Sequence, residues 1–176
     1  MSKDIKGLAL ITGTTSGVGL NTLKPLIRFG WEVIAVNRSN KRAITIAEEF
    51  LTKEEIENVH FIEIDLSNLD DVRKGCDYIL ERFKKPINSF ICNAAVYKPR
   101  LKRPERSPQG FENSMAVNHF GHFLMINLLM ENILSSERAI SLNGKVTVFK
   151  PTPEVVPVIR ANPLMSLLTS KKLIKK

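Results

Sequence analysis

The stretch LALITGTTSGVG, residues 8–19, decides the fold of this 176-residue chain. Its first four residues form an unbroken apolar run, which is typical of a parallel strand buried on both faces. Glycines follow at once at positions 13, 17 and 19, and a helix is expected from about Val18. A buried strand, a glycine-rich turn and a helix in this order predict the first unit of a parallel α/β sheet.

The glycine-rich turn is also the strongest candidate for a binding site. Glycines let the backbone turn sharply and come close to a pyrophosphate, and the free N–H groups at the start of the helix meet its negative charge. The residues predicted to bind a cofactor in this way are Gly13, Thr14, Thr15, Ser16, Gly17, Val18 and Gly19. The alternative is a glycine turn with a purely structural role.

Strands and helices alternate regularly after this unit, which predicts a parallel sheet with right-handed crossovers. Further strands are predicted over residues 31–36, 59–66, 89–92 and 145–149. Helices are predicted over residues 41–55, about 69–84, and 110–134, with a proline-containing loop over 96–110. We therefore expect a three-layer Rossmann-type α/β domain over residues 1–149, truncated after about five parallel strands, with helices on both faces of the sheet.

The last part of the chain differs from the rest in composition. With 43% hydrophobic residues the chain has enough apolar material for one core, but the strand and helix pattern stops at Lys150. Residues 150–176 hold six Lys or Arg against one Glu, so they carry five of the eight net positive charges. We predict a basic, poorly ordered tail, and the alternative is that its leucines and lysines contact an anionic membrane surface. Nucleic-acid binding is disfavoured, because the basic residues are not gathered on a folded face.

The sequence lacks signals for export or membrane insertion. Its apolar stretches are shorter than the roughly 20 residues that cross a bilayer, and its first residues lack a signal-peptide core. The two cysteines, Cys76 and Cys92, have neither metal-ligand nor disulfide spacing. We expect a soluble, cytoplasmic protein with reduced thiols, and the sequence does not indicate its oligomeric state.

The end of the second strand bears on which nicotinamide cofactor is bound. A cofactor without a 2′-phosphate favours an acidic residue there, which accepts a hydrogen bond from the ribose. Asn37 and Arg38 stand at this place instead. The planar guanidinium of Arg38 can donate two hydrogen bonds to a 2′-phosphate, so NADPH is the predicted cofactor. The alternative is a solvated arginine that happens to follow a strand.

The spacing T-G-x3-G-x-G at residues 12–19 differs from the G-x-G-x-x-G of other Rossmann proteins and resembles the short-chain dehydrogenase/reductase family. This resemblance implies that Asp65 and Leu66, which close the third strand, lie at the adenine ring, although an aspartate there also suits a turn. It further implies that the triplet after the fourth strand lies beside the cofactor ribose. The triplet consists of Asn93, Ala94 and Ala95.

Three further motifs resemble one branch of that family, the light-dependent protochlorophyllide reductases. They are ICNAAVYKP at residues 91–99, SPQGFE at 107–112 and VNHFGHFL at 117–124, and the resemblance covers residues 7 to about 149. It implies NADPH-dependent, light-driven reduction of protochlorophyllide to chlorophyllide in chlorophyll biosynthesis, with thylakoid-membrane association in a photosynthetic organism. Retinol dehydrogenase-like reductases share N-H-x-G-H-F and are the alternative, but C-N-A-A-V-Y fits the pigment enzymes better.

The same resemblance assigns roles to residues in and near the long helix. Asn118 matches the family's catalytic asparagine, which is implied to support a proton relay through water; otherwise it is a polar residue of weak helix propensity. Cys92 and Tyr97 are candidates for the border of the pigment pocket, with strand-end packing as the alternative. His119 and His122 are three residues apart, but no third ligand accompanies them, so no metal site is predicted.

The family's proton-donating pair is absent from these residues. The family uses Tyr-x-x-x-Lys after the fifth strand, where the lysine charge lowers the pKa of the tyrosine. Here Tyr78 is followed four residues later by Arg82, and Tyr97 by Leu101. Thr152, which lies between two prolines, is a poor substitute for the family's serine. We therefore expect impaired or absent turnover by this chain, and the alternative is a non-catalytic NADPH-binding or regulatory protein.

Overall fold

The computed structural model describes residues 7–98, 103–135, 139–142, 146–149 and 159–160. Strands and helices alternate through the first part of the chain. The elements are β1 (Gly7–Thr12), α1 (Gly17–Arg28), β2 (Trp31–Asn37), α2 (Asn40–Phe50), α3 (Lys53–Ile56), β3 (Val59–Glu63), α4 (Leu69–Arg82), β4 (Ile87–Cys92), α5 (Asn113–Met115), a π-helical segment (Ala116–Gly121), α6 (His122–Leu134), β5 (Ala139–Leu142), β6 (Val146–Phe149) and β7 (Ile159–Arg160).

Five of these strands form one parallel sheet in the order β3-β2-β1-β4-β7. The chain first moves outward from β1 through β2 to β3, and then returns to the other side of β1 as β4. The order of the strands therefore reverses between β1 and β4. Open α/β sheets bind ligands at such a reversal, beyond the carboxyl ends of the strands.

Helices cover both faces of the sheet. Along β2, Val33 and Ala35 belong to the core that contains α1 and α2, whereas Ile34 and Val36 belong to the core that contains α4 and α6. This alternation is the period of two that a strand imposes on its side chains. Residues 8–11 are each 0% exposed, as their apolar run predicts. The structure thus confirms the three-layer Rossmann-type fold.

The elements between β2 and β4 differ from the prediction at their ends. One helix is expected over residues 41–55, but the chain forms α2 and α3, separated by the buried side chain of Leu51. Thr52 starts α3 with a capping box, in which its hydroxyl accepts from the N–H of Glu55 and the Glu55 carboxylate accepts from the N–H of Thr52. β3 ends at Glu63 because a turn closes just beyond it.

The strand predicted over residues 145–149 is present as β6, but it lies outside the parallel sheet. β6 pairs with β5 in an antiparallel two-stranded sheet. Only residues 143–145 separate these two strands, a length typical of hairpins and too short for a parallel crossover. The place beside β4 is taken by the two residues of β7, which belong to the segment predicted as a tail. The division of the chain at residue 149 stays a prediction.

The long helix predicted over residues 110–134 begins later and is not α-helical throughout. Gly110 has φ +82°, which is outside the helical region. α5 starts after Glu112, whose carboxylate accepts from the N–H groups of Ser114 and Met115. The π-helical segment then leads into α6. Such π-helical turns inside α-helices are frequent at functional sites.

A partly buried carboxylate joins three segments near the amino ends of the strands. Glu32, at the start of β2, lies 2.6 Å from Nε2 of His60 on β3, measured from its Oε1. Its other oxygen accepts from Lys85, which lies just before β4. Burial by itself would raise the pKa of Glu32, but the hydrogen bonds and charges of Lys85 and His60 outweigh it and hold the pKa below its ordinary value of 4.5.

Glu32 is expected to make the fold less stable in acid. Because its pKa is lower in the folded state than in the unfolded state, its contribution is present above about pH 4.5 and is lost as the pH falls through the folded-state pKa. We expect thermal melts followed by circular dichroism to show a larger loss of Tm below this pH for the wild type than for Glu32→Gln. Equal losses in the two proteins would contradict the prediction.

Candidate functional site

A cleft of about 180 Å³ opens at the edge of the sheet where the parallel strands end. Much of its wall comes from residues that lie just beyond the ends of four neighbouring strands. Gly13 and Thr15 follow β1, Arg38 follows β2, Asp65 follows β3, and Ala94 follows β4. The cleft therefore brings together members of all four segments that the sequence predicts to bind a cofactor.

Two glycines of the turn hold positions that a side chain cannot occupy. Gly13 has φ +74°, and a Cβ there would lie 2.8 Å from Cα of Ala94. At Gly19, a Cβ would lie 2.1 Å from the carbonyl oxygen of Gly13 and 2.4 Å from Nδ2 of Asn93. The turn thus packs directly against the residues that follow β4.

The start of α1 leaves its N–H groups open beside the cleft. Ser16 precedes the helix in an extended conformation, its side chain makes no capping hydrogen bond, and the first turn contains no acidic residue. α4 begins differently, with Asp70 and Asp71 in its first turn and the Asn68 side chain as a cap. The first N–H groups of a helix have no acceptor within it, so those of α1 can receive an anion. Three residues at this start are exposed: Ser16, Gly17 and Val18.

Asn37 fastens the glycine turn to the end of β2, a contact that sequence reasoning missed. The Asn37 side chain is 4% exposed. Its Oδ1 accepts from the N–H of Thr14 at 2.7 Å, and its Nδ2 donates to Oγ1 of Thr14 at 2.8 Å. Thr14 is itself buried, so these bonds support the glycine turn on its buried side. An amide side chain at the end of a buried strand was the available signal.

Arg38 and Asp65 both lie where the sequence predicts them. Arg38 is exposed. Both Arg38 and Asp65 line the cleft. One carboxylate oxygen of Asp65 accepts from the N–H of Ser67 at 2.9 Å and from its hydroxyl at 2.7 Å. The turn role of Asp65 is therefore present, and its contact with adenine stays a prediction. Leu66, which follows it, borders the same cleft.

The triplet after β4 is fixed to Thr12 and Gly13 by four hydrogen bonds. Oγ1 of Thr12 accepts from the N–H of Asn93 at 3.0 Å and from the N–H of Ala94 at 2.9 Å. Nδ2 of Asn93 donates to the carbonyl oxygens of Thr12 and Gly13, each at 2.9 Å. These bonds hold Ala94 and Ala95 in the cleft wall, whereas Asn93 supports the wall without lining the cleft.

The π-helical segment carries Asn118 to the loop that follows β4. Its Oδ1 accepts from the N–H of Val96 at 2.7 Å, and its Nδ2 donates to the carbonyl oxygen of Val96 at 2.9 Å. The side chain therefore fixes this loop by binding both backbone polar groups of Val96. Its implied part in a proton relay stays a prediction.

Gly121, at the end of the π-helical segment, packs closely against another part of the chain. A glycine in the middle of a helix predicts close packing against a neighbouring helix. A Cβ at Gly121 would lie 2.3 Å from the carbonyl oxygen of Leu66, so the packing is close. The predicted partner is wrong, because the segment that follows β3, and not a helix, approaches Gly121 here.

The two candidate substrate residues are not brought together. Cys92 is 5% exposed and packs in the core that contains α4 and α6, whereas Tyr97 is 80% exposed. Neither lines the cleft. This arrangement favours strand-end packing for Cys92.

Burial and the charge of Asp77 raise the pKa of Cys76 to about 12, which keeps that thiol protonated and unreactive.

The two helix histidines have separate surroundings. The ring of His119 packs against those of Phe120 and Phe123, with centroid distances of 5.3 and 6.0 Å. His122 is 3% exposed and lies 2.8 Å from Thr12 Oγ1. Within the part of the chain that the structure describes, no three His, Cys, Asp or Glu side chains gather into a group that could hold a metal ion.

Apart from Ile159 and Arg160 of β7, the residues of the predicted tail lie outside the described part of the chain. Thr152 and the leucines and lysines considered for membrane contact lie outside the described residues. Among the helices that are described, none is both long enough and apolar enough to span a membrane.

Sequence reasoning also missed the apolar part of the cleft wall. The missed residues of this part are Val36, Ile64, Val96 and Val117, which lie beside the predicted Leu66, Ala94 and Ala95. Each is one of several apolar residues in its segment, and no local pattern distinguishes the one that ends at the edge of the sheet.

A family model described as short chain dehydrogenase matches residues 7–146. The matched region contains the glycine turn, the triplet after β4 and the π-helical segment, which together form the cleft and its support. The chain belongs to the short-chain dehydrogenase family.

Similar curated proteins are protochlorophyllide reductases. The chain is 41% identical over 133 residues to the chloroplastic protochlorophyllide reductase of Cucumis sativus, a match that covers 74% of this chain and 32% of that protein. The chain thus spans about a third of the length of the curated relatives it matches. This similarity confirms the predicted resemblance.

Solved structures of the family share the fold. An alcohol dehydrogenase from Thermococcus sibiricus complexed with 5-hydroxy-NADP is 27% identical with a TM-score of 0.58, covering 73% of this chain and 53% of that one. A 3-ketoacyl-(acyl-carrier-protein) reductase from Brucella melitensis complexed with NADH is 26% identical with a TM-score of 0.56, covering 73% and 51%.

Proposed function

We propose that this chain binds NADPH in the cleft at the carboxyl edge of its sheet. The observation that carries the proposal is the meeting of four segments in one cleft: the glycine turn, Arg38, the Asp65–Leu66 pair and the triplet after β4. Each of these supplies a different kind of contact. The solved relatives with a bound nicotinamide nucleotide support the same use of the fold.

The residues present fit a dinucleotide. A Cβ at Gly17 would meet nothing within 4 Å, so there is open space in which a diphosphate can approach the backbone at the start of α1, and the first N–H groups of α1 are not neutralised by a carboxylate. Leu66 and Val117 supply apolar wall for an adenine ring. The cleft therefore offers donors for the phosphates and an apolar surface for the base.

The choice of NADPH over NADH rests on Arg38. Its exposed guanidinium follows β2 directly, and Asn37, in the place where an acidic residue would favour NADH, is turned inward to Thr14. A guanidinium is suited to a phosphate because its donors form a planar fork.

As a broader assignment, we propose an oxidoreductase of the protochlorophyllide reductase type. When bound, NADPH supplies a hydride to the substrate, which by similarity is protochlorophyllide. The identity to the Cucumis sativus enzyme supports this assignment over 32% of that protein only. Residues 1–176 hold no Tyr-x-x-x-Lys, so we expect them to bind nucleotide without reducing the pigment.

The proposal can be tested with the purified chain. Calorimetry should show uptake of NADPH and weaker uptake of NADH, and absorbance of a mixture with protochlorophyllide should not change on illumination. Circular dichroism establishes first that the material is folded. Folded chain that takes up neither nucleotide would overturn the proposed binding function, and conversion of the pigment in light would overturn the expected lack of turnover.

A further inference from the structure

His122 lies behind the cleft and does not line it. It is the first residue of α6, its side chain is 3% exposed, and its Nε2 lies 2.8 Å from Oγ1 of Thr12 at the end of β1. Histidine is seldom buried to this degree in a helix without a polar partner. The partner here is the hydroxyl that holds the triplet after β4.

The hydrogen bonds of Thr12 determine which atom donates. A hydroxyl has two acceptor lone pairs and one proton. Both lone pairs of Thr12 Oγ1 are used, because it accepts from the N–H groups of Asn93 and Ala94. Its proton is therefore donated to Nε2 of His122, and the imidazole accepts there. This requires a neutral ring with its proton on Nδ1.

Asn118 adds a second contact from the same helix. It lies four residues before His122, so the two side chains project from neighbouring positions of one helix face. Asn118 holds Val96 directly, and His122 holds Asn93 and Ala94 through Thr12. One helix face therefore fixes both ends of the loop over residues 93–96, and this loop forms one wall of the cleft.

We propose that His122 is a positioning residue for nucleotide binding, which orients the Thr12 hydroxyl so that residues 93–95 stay in the geometry the cofactor needs. This inference rests on the proposed function. His122 does not line the cleft, so it affects the cofactor through the residues that it contacts, and Thr12 is the contact that holds the triplet after β4. Without an acceptor at Nε2, the hydroxyl is free to rotate, and one of the two amides of the triplet loses its acceptor.

Two substitutions separate this role from simple packing. His122→Leu keeps an apolar side chain at the position but removes the acceptor. His122→Gln places an amide oxygen near the position of Nε2, where it can accept from Thr12. We expect NADPH affinity to fall roughly tenfold in His122→Leu, a change of about 1.4 kcal/mol, and to be largely restored in His122→Gln.

A control variant accounts for loss of stability. Leu129→Ala truncates a fully buried apolar side chain of α6, and Ile133→Val is a milder change on the same helix. We expect these variants to lower the Tm while leaving the affinity for NADPH unchanged. If His122 had only a packing role, variants with equal Tm would have equal affinity.

The decisive experiment is a double-mutant cycle measured by calorimetry on the full chain. Thr12→Val removes the hydroxyl, so adding His122→Leu to it should cause no further loss of NADPH affinity. Amide hydrogen exchange of residues 93–94 should be faster in His122→Leu than in Leu129→Ala. Additive losses in the cycle, or unchanged affinity in His122→Leu, would overturn this inference alone. Absence of NADPH binding by the folded wild type would overturn the proposed function and the inference together.

Discussion

Replacing Gly19 by alanine is expected to abolish tight NADPH binding and to destabilise the fold. The new Cβ would lie 2.1 Å from the carbonyl oxygen of Gly13, which is backbone and cannot rotate away as a side chain would. Relief of the clash must displace the glycine turn from the triplet after β4. Overpacking of this kind costs about 1–3 kcal/mol of stability. Loss of one charge-assisted hydrogen bond to the diphosphate lowers affinity by about 10- to 100-fold.

Calorimetry and thermal melts of Gly19→Ala measure the two effects separately. Gly110→Ala is the control for a glycine-to-alanine change without a clash, because a Cβ there has open space and the residue lies outside the cleft; unlike Gly19, Gly110 has positive φ. It should lose about 1–2 kcal/mol of stability from backbone strain and keep its NADPH affinity. Wild-type affinity in Gly19→Ala would show that the turn does not approach the diphosphate as we propose.

Replacing Arg38 by alanine is expected to remove the preference for NADPH over NADH. The guanidinium is exposed at the cleft, and its proposed bonds to the 2′-phosphate are charge-assisted. A charged hydrogen bond is worth about 1.5–3 kcal/mol, so NADPH affinity should fall by roughly 10- to 100-fold. NADH lacks the 2′-phosphate, and its affinity should stay nearly constant.

The measurement compares both nucleotides in the wild type and in Arg38→Ala. Lys84→Ala is the control for the loss of one positive charge, because Lys84 is exposed just before β4, at the opposite edge of the sheet from the cleft. It should bind both nucleotides as the wild type does. Equal losses for NADPH and NADH in Arg38→Ala would show that Arg38 does not recognise the 2′-phosphate.

Local sequence patterns predict those parts of the fold that depend on residues adjacent in the chain. The apolar run 8–11 predicts a strand buried on both faces, and the glycines after it predict the turn, since both follow from chain geometry alone. The family resemblance of the same stretch is confirmed. The β5–β6 hairpin was missed because a four-residue apolar strand has the same pattern in parallel and antiparallel sheets.

The candidate site was predictable only in part, because its support comes from contacts between distant segments. The bond from Asn37 to Thr14 joins residues 23 positions apart, and that from His122 to Thr12 joins residues 110 apart. The π-helical segment likewise brings Asn118 to Val96, which lies in the loop that follows β4. No periodicity within one helix or strand contains this information. Motifs identified the glycine-rich and polar part of the cleft wall, whereas several apolar residues of the wall and the long-range contacts that hold it in shape were not identifiable from the sequence.

The inward orientation of Asn37 restricts how cofactor preference can change in this chain. A carboxylate at position 37 would line the same cleft and could still accept from the N–H of Thr14, but it would lose the bond that Nδ2 of Asn37 donates to Oγ1 of Thr14, so a bond to a ribose would come at the expense of support for the glycine turn. A change of preference toward NADH through position 38 would leave the bonds between Asn37 and the glycine turn intact, whereas a change through position 37 would weaken them.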